Sequence, residues 1–394
     1  MITPEELVAR AYALVPGFLD RQERTEADRR VPEESIDDCH RADLFRILQP
    51  KRYGGFEFGM DTLVDVAAAV ASGCGSTGWV FAVNAQQRWM IGMYPKQAQD
   101  EVWRDEETSL SSSSFHPSGL AVATDGGWRL SGKWMYCSGI DNAHWLILGA
   151  RLATAADAEP TGLGYMLVPK ADVEIEDNWQ VAGLAGTGSM NVAGQDLFVP
   201  AHRLLRLEEA LSGNPPGAQI NQAGIYRIPF FAATSIGLCG SVMGMAQGAF
   251  AEYVGATRTR KTRGAAIAQP RPMAELPTIQ LRVGEAASAI DAARMLVDRD
   301  CKDIVATIEA GNELTQDQRA RNKGDLGYAV QLATGAIDRL FESGGGGGMF
   351  NKSRVQRFWR DAHAGAMHIS LNRDALFTLR GRVLLGQPPG PAQF

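Results

Sequence analysis

The sequence predicts an α+β protein in three parts: an N-terminal helical domain, a middle antiparallel β-domain and a C-terminal four-helix bundle. Three observations carry this. Apolar residues recur at helical spacing through the first hundred positions. Near residue 108 the pattern changes to short alternating, aromatic-rich segments bounded by Gly, Pro or Asp. After the loop SGNPPGAQ helical spacing returns and persists. The boundaries expected are 1–107, 108–215 (barrel-like) and 216–394.

Each element has its own warrant. Leu7, Ala11, Leu14 and Phe18 fall on one helical face. Residues 35–48 make a second helix, stopped before Pro50, and the Gly-rich KRYGGFEFGM makes a turn. Residues 61–72 form a third helix, apolar on most faces. A serine run over 109–114 opens the β-domain, and DGG at 125–127 is a hairpin signal. WRLSGKWMYCSG, HWLILGARL, GLGYMLVP and QDLFVP continue the strands. Helices are expected over 230–256, 275–310, 316–342 and 352–384, with short connections that suit an antiparallel bundle. Five consecutive glycines, Gly344 to Gly348, join the last two, and the Pro-rich final ten residues read as a frayed tail.

Composition narrows the function. With 394 residues, 45% hydrophobic and 21% charged, the chain is too apolar to be mainly disordered. A net charge of -6 makes nucleic acid a poor partner. Cys39, Cys74, Cys137, Cys239 and Cys301 are scattered without a C-x-x-C pair, which argues against disulfides and zinc and suits a reducing cytoplasm. MITPEELVAR has no secretory pattern. Residues 230–251 carry no charge and are long enough to span a bilayer, but their Gly, Ala and Ser content favours a buried bundle helix over a membrane span.

LSGKWMYCSGIDNAHWLILGAR and RVQRFWRDAHAGAMHIS, in this order of helices, strands and helices, resemble the acyl-CoA dehydrogenase fold over nearly the whole chain. Dehydrogenases of that fold need a carboxylate base. Eight residues after Asp361, where many of them carry Glu, this chain has Ile369, and residues 210–251 contain no Asp or Glu. GWVFAVNAQQRW, SSSSF, WMYCSGIDNAHW, ESGGGGG and RDAHAGAMH instead resemble the reduced-flavin-dependent, two-component monooxygenases, the branch that includes the oxygenase component of 4-hydroxyphenylacetate 3-hydroxylase. The resemblance implies reduced FMN or FAD delivered by a separate NAD(P)H:flavin reductase. It implies O2 as co-substrate, a C4a-hydroperoxide, an aromatic or N-heteroaromatic small-molecule substrate and a homotetramer. A dehydrogenase with a relocated base and a non-catalytic scaffold stay open as rivals.

The same resemblance assigns residues. His368 is implied near flavin C4a, and Ser138 near flavin N5; both are candidate catalytic groups. Trp79, Gln87 and Ser113 are candidate substrate contacts, with the serine register open by one. Gln87 stands where phenol hydroxylases of the family have His. Since an amide is no base, a neutral or N-heteroaromatic ring is expected over an ionising phenol. Arg258, Arg260 and Arg263, with Lys261, form a basic cluster resembling the family's flavin-phosphate site, and Gly344, Gly345 and Gly346 are candidate cofactor contacts. His363, on the same expected helix as His368, reads as structural.

Overall fold

The computed structural model describes residues 2–262 and 269–390, so Arg263 lies outside the described residues. The N-terminal part comprises α1 (Pro4–Ala27), α2 (Glu33–Arg41), α3 (Met60–Gly73), α4 (Gly75–Ile91) and α5 (Lys96–Trp103). Helix α1 starts at a reciprocal cap: Thr3 Oγ1 accepts from the Glu6 amide at 3.2 Å, and Glu6 Oε2 accepts from the Thr3 amide at 3.0 Å. Its Leu7, Ala11 and Phe18 are fully buried, as the spacing predicts. The second helix is shorter than expected. It stops at Arg41, where Asp43 turns left-handed (φ 62°), and only a short 3-10 turn at Leu44–Arg46 follows.

Helix α4 has no amphipathic stripe to announce it. Nearly every side chain on it is buried, so its polar residues, Asn84, Gln86, Gln87 and Arg88, sit inside. The buried Arg88 guanidinium donates to Gln49 Oε1, to the Glu107 carbonyl at 3.1 Å and to the Ser109 carbonyl at 3.0 Å. This ties α4 to the segment that enters the sheet.

The middle part is one seven-stranded sheet of β1 (Ser111–Thr124), β2 (Gly127–Cys137), β3 (Trp145–Ala153), β4 (Gly162–Pro169), β5 (Glu174–Glu176), β6 (Met190–Pro200) and β7 (Leu204–Arg206). The order is β5-β6-β2-β1-β3-β4-β7, with β5 and β7 as its two edges. Five pairings among the described residues are antiparallel; β1 and β3 run parallel, Ser113 facing Ile147. The exception arises because β2 pairs with one edge of β1 and the chain crosses over to the other. Alternation gives the sheet two buried faces. Leu146, Leu148, Met166 and Val168 join Trp134 and Leu130 in a core of the sheet's own, while Ile147, Tyr165 and Leu167 pack on the helices.

After α6 (Leu207–Leu211) and α7 (Phe230–Ala233), the chain forms α8 (Ile236–Thr259), α9 (Pro277–Glu309), α10 (Gln316–Glu342), α11 (Arg354–Ala366) and α12 (Arg373–Leu384). The expected last helix, 352–384, is thus two helices. Between them the chain turns at Met367–Asn372, and Asn372 Oδ1 accepts from the Ala375 amide at 3.1 Å, restarting the helix. His368 is therefore not a mid-helix residue but lies in the break. The five-glycine run likewise takes a short 3-10 turn, Gly345–Met349.

Phe230–Thr259 is long and apolar enough to cross a membrane by length and composition, yet 89% of its most apolar window is buried inside the protein. Its composition has a packing reason. A Cβ at Gly240, Gly244 or Gly248 would stand 2.8 Å from the Val64 carbonyl oxygen, 2.2 Å from that of Ala68 and 2.5 Å from that of Ser72. Three glycines one turn apart on α8 thus face three residues one turn apart on α3, and the two backbones meet without side chains between them.

Gly244→Ala, which forces a methyl group into the Ala68 carbonyl, is expected to lower stability by about 1–3 kcal/mol. Gly255→Ala, on the same helix with open space around it, is expected to raise stability by about 0.5–1 kcal/mol. Denaturant unfolding of the two variants side by side checks both.

Candidate active site

A cavity of about 490 Å³ opens where the three parts meet, within the range usual for small-molecule sites. One wall is aromatic. Phe115 on β1, Tyr165 on β4 and Phe230 on α7 pack edge to face or tilted, with centroids 5.1–5.4 Å apart. Phe231, Leu238 and Met90 extend this apolar lining. Trp79 from α4 and His368 from the break after α11 also line the cavity, their rings meeting edge to face at 63° with centroids 5.7 Å apart. Gly365 makes this approach feasible, since a Cβ there would lie 3.0 Å from the Trp79 ring.

His368 has protein packed closely around its ring, yet the residue is solvent-exposed through the open cavity that it lines. Its Nδ1 accepts from the Ser370 amide at 3.2 Å, which leaves the neutral ring's proton on Nε2. Burial pushes its pKa down to about 4. The amide aimed at Nδ1 acts in the same direction, because a proton there would face another proton. The side chain is thus a neutral N–H donor at pH 7. His363, by contrast, has its Nε2 2.8 Å from Asp338 Oδ1, which also accepts from Trp359 Nε1 at 2.7 Å; it holds α11 to α10.

Ser138 follows a kink at the end of β2, where Tyr136 (φ 65°) and Gly139 (φ 71°) are both left-handed. Gly139 is required there, since a Cβ would lie 2.7 Å from Val80 Cγ1. Ser138 is 9% exposed, lines the cavity, and its Oγ lies 2.7 Å from Ser189 Oγ, which in turn lies 2.7 Å from Thr187 Oγ1. The turn bearing Thr187 is tied to the bundle by buried Asp361, whose Oδ1 accepts from the Leu184 amide at 2.6 Å. Burial raises the Asp361 carboxyl to about 6.

Gln87 is buried, and its Nε2 donates to Ser113 Oγ at 2.7 Å. Its Oε1 is buried without a partner. The side chain lines the cavity, so a modest turn of the amide would bring this orphaned acceptor to a ligand there. Of the serine run, Ser113 and Ser114 both line the cavity, so the register stays open by one.

The structure thus brings Trp79, Gln87, Ser113, Ser138 and His368 into one wall system. It places the expected phosphate residues elsewhere. Arg260 Nη2 donates to the Gly344 carbonyl at 2.8 Å, so the basic cluster and the glycine run do meet. But Arg260 caps the far end of α8, about 33 Å along the helix from Leu238 in the cavity wall. Arg258 is exposed beside it. Within one chain none of Arg258, Arg260, Gly344, Gly345 and Gly346 lines the cavity.

Sequence reasoning missed Phe230, Phe231, Tyr165, Thr234 and the Ser189–Thr187 pair. The first two open the uncharged segment that raised the membrane question; its IPFF start was the available signal. Ser189 and Thr187 lie about fifty residues from Ser138 in an irregular turn, with no pattern to mark them. Among the described residues no Asp or Glu lines the cavity, and Ile369 stands in its wall. A dehydrogenase-type carboxylate base therefore has no place here. The residues do fit a reduced flavin ring: flat aromatic and aliphatic walls, a hydroxyl and an imidazole N–H beside them, and no fixed negative charge.

Residues 6–106 match the family described as acyl-CoA dehydrogenase, N-terminal domain, and residues 236–373 match acyl-CoA dehydrogenase, C-terminal domain. The chain is 37% identical to the FADH(2)-dependent resorcinol hydroxylase, oxygenase component, of Rhizobium sp. (strain MTP-10005), over 97% of this chain and 95% of that protein. The crystal structure of the HsaA monooxygenase from M. tuberculosis superposes with a TM-score of 0.93 at 33% identity, covering 100% of both chains. XiaF from Streptomyces sp., in complex with FADH2 and glycerol, superposes with a TM-score of 0.90 at 32% identity, covering 99% of this chain and 98% of that one. With a carboxylate-free cavity on an acyl-CoA dehydrogenase fold and relatives of this kind along its whole length, the chain belongs to the oxygenase components of the flavin-dependent monooxygenases.

Proposed function

We propose that this flavin-dependent monooxygenase oxygenates a small aromatic or N-heteroaromatic ring bearing a neutral O–H or N–H group, using reduced flavin from a separate reductase. The single observation that carries the substrate class is the buried, unpartnered Gln87 Oε1 in the cavity wall. An acceptor there selects a donor on the ligand and disfavours a phenolate, which is itself an acceptor. That widens the expectation drawn from the sequence: a neutral phenol fits as well as an indole-like ring. The resorcinol hydroxylase among the relatives is compatible with the first, and the indole-3-acetate monooxygenase of Pseudomonas putida, 24% identical, is named for the second.

Reduced flavin, when bound, supplies the electrons that activate O2 and passes one oxygen atom onward. The chain's own residues hold, dry and orient. The aromatic wall of Phe115, Tyr165 and Phe230 excludes water and packs against a planar ring. Trp79 and His368 add to the cavity lining, His368 presenting a proton at Nε2 that stays in place at neutral pH. Ser138 stands where the resemblance puts flavin N5. Arg258, Arg260 and the glycine run then serve the flavin phosphates of a neighbouring subunit, in a homotetramer whose sites are each built from more than one chain. Five buried, unpaired cysteines suit a cytoplasmic location.

Mixing the protein with anaerobically reduced FAD or FMN, O2 and a panel of phenols and indoles is expected to give oxygenated product, read by mass spectrometry. Flavin reoxidation as fast as in buffer, with no product from any ring, would sink the reading. Gln87→Leu is expected to raise KM for hydroxyl- or N–H-bearing rings about five- to tenfold, with little effect on their methyl-capped analogues.

His368 carries a pH prediction. With its pKa at about 4 in the fold against about 6.5 in an unfolded chain, the native state binds fewer protons between those values. Stability attributable to this group is full above about pH 6.5 and declines as pH falls toward 4. His368→Gln should flatten that part of the curve of Tm against pH. Arg260→Ala is expected to weaken reduced-flavin binding without altering the product, and gel filtration of the wild type should show an oligomer.

A further inference from the structure

The hydroxyl chain behind Ser138 has only one self-consistent arrangement of protons. Thr187 Oγ1 lies 2.8 Å from the Leu184 carbonyl oxygen. A contact that short between two oxygens must contain a hydrogen, and a carbonyl has none to give, so Thr187 donates. Its single hydrogen is then spent. The 2.7 Å contact between Thr187 and Ser189 must be supplied by Ser189. The 2.7 Å contact between Ser189 and Ser138 must in turn be supplied by Ser138. Thr187 is 1% exposed and Ser189 3% exposed, so solvent does not reach the chain from behind to reverse it. The Leu184 carbonyl that anchors it also accepts from the Thr187 amide at 3.1 Å and from Trp179 Nε1 at 3.0 Å. Leu184 itself is left-handed (φ 55°), held so by Asp361. With its hydrogen committed inward, Ser138 offers the cavity lone pairs only.

We propose that Thr187 and Ser189 are positioning residues that fix Ser138 as a hydrogen-bond acceptor, and so make the site select reduced over oxidised flavin. Reduced flavin carries a hydrogen on N5 and donates to such an oxygen. Oxidised flavin presents a bare N5 lone pair, which the same oxygen repels. The selection is exerted by two residues that are buried behind Ser138 and do not line the cavity. This rests on the reading of the cavity as the flavin site, with Ser138 beside flavin N5 as the resemblance implies.

The test is anaerobic equilibrium binding of reduced and oxidised FAD, compared as a ratio of Kd values. The wild type is expected to bind the reduced form at least tenfold more tightly. Thr187→Val, close in volume, leaves Ser189 without its acceptor, and Ser189→Ala removes the link outright. Either change frees the Ser138 hydrogen to turn toward the cavity. Both variants are expected to gain affinity for oxidised FAD and reduce the ratio about tenfold, while Thr187→Ser, which keeps the hydroxyl, restores it. Ser138→Ala should lose the discrimination by removing the oxygen itself. An unchanged ratio in both Thr187→Val and Ser189→Ala, with reduced FAD still bound, would overturn the relay. Failure of the wild type to bind either form would overturn the flavin-site reading beneath it, a distinct result.

Discussion

The close approach of α3 and α8 is the constraint on which the site depends. Gly240, Gly244 and Gly248 let the two backbones touch along three turns. Helix α4 leaves the end of α3 with only Cys74 between them and carries Trp79, Gln86 and Gln87. The start of α8 carries Leu238, with Thr234 just before it. The separation of α3 from α8 therefore sets the width of the cavity between their extensions. A side chain at any of these glycines acts on the site at a distance, through the spacing of its walls.

Much of the architecture was legible because it rests on local pattern. The three-part order, the strand segments and the long bundle helices all follow from periodicity and turn residues. What escaped was set by tertiary context. Helix α4 is buried all round, so no stripe distinguished it. The parallel β1–β3 pair depends on which side of β1 the chain returns to, a choice that alternation does not encode. The break at Met367–Asn372 did leave a trace, since Asn372 is a good helix-start residue, but the apolar spacing runs through it undisturbed.

The candidate site divides in the same way. Trp79, Gln87, Ser113, Ser138 and His368 belong to compact motifs and line one cavity. The basic cluster and the glycine run are equally visible in sequence and do meet, yet far from that cavity. Spacing along a chain says nothing about which end of a helix a motif occupies relative to a pocket. Ser189 and Thr187 carry no motif, and their orientation of Ser138 emerges only from three oxygen–oxygen distances.

The burial of α4 has a consequence for biosynthesis. Its apolar surface is complete once residue 91 has been made, but α8, which covers it, spans Ile236–Thr259. At about 5–20 residues per second, a ribosome takes on the order of ten to thirty seconds to supply that cover. Throughout that interval α4 has α3 and α1 beside it but not α8, so part of its apolar surface lacks its native cover, and the cavity cannot close until His368 emerges. Holding factors that shield apolar segments during translation would thus act on yield without changing the stability of the finished fold.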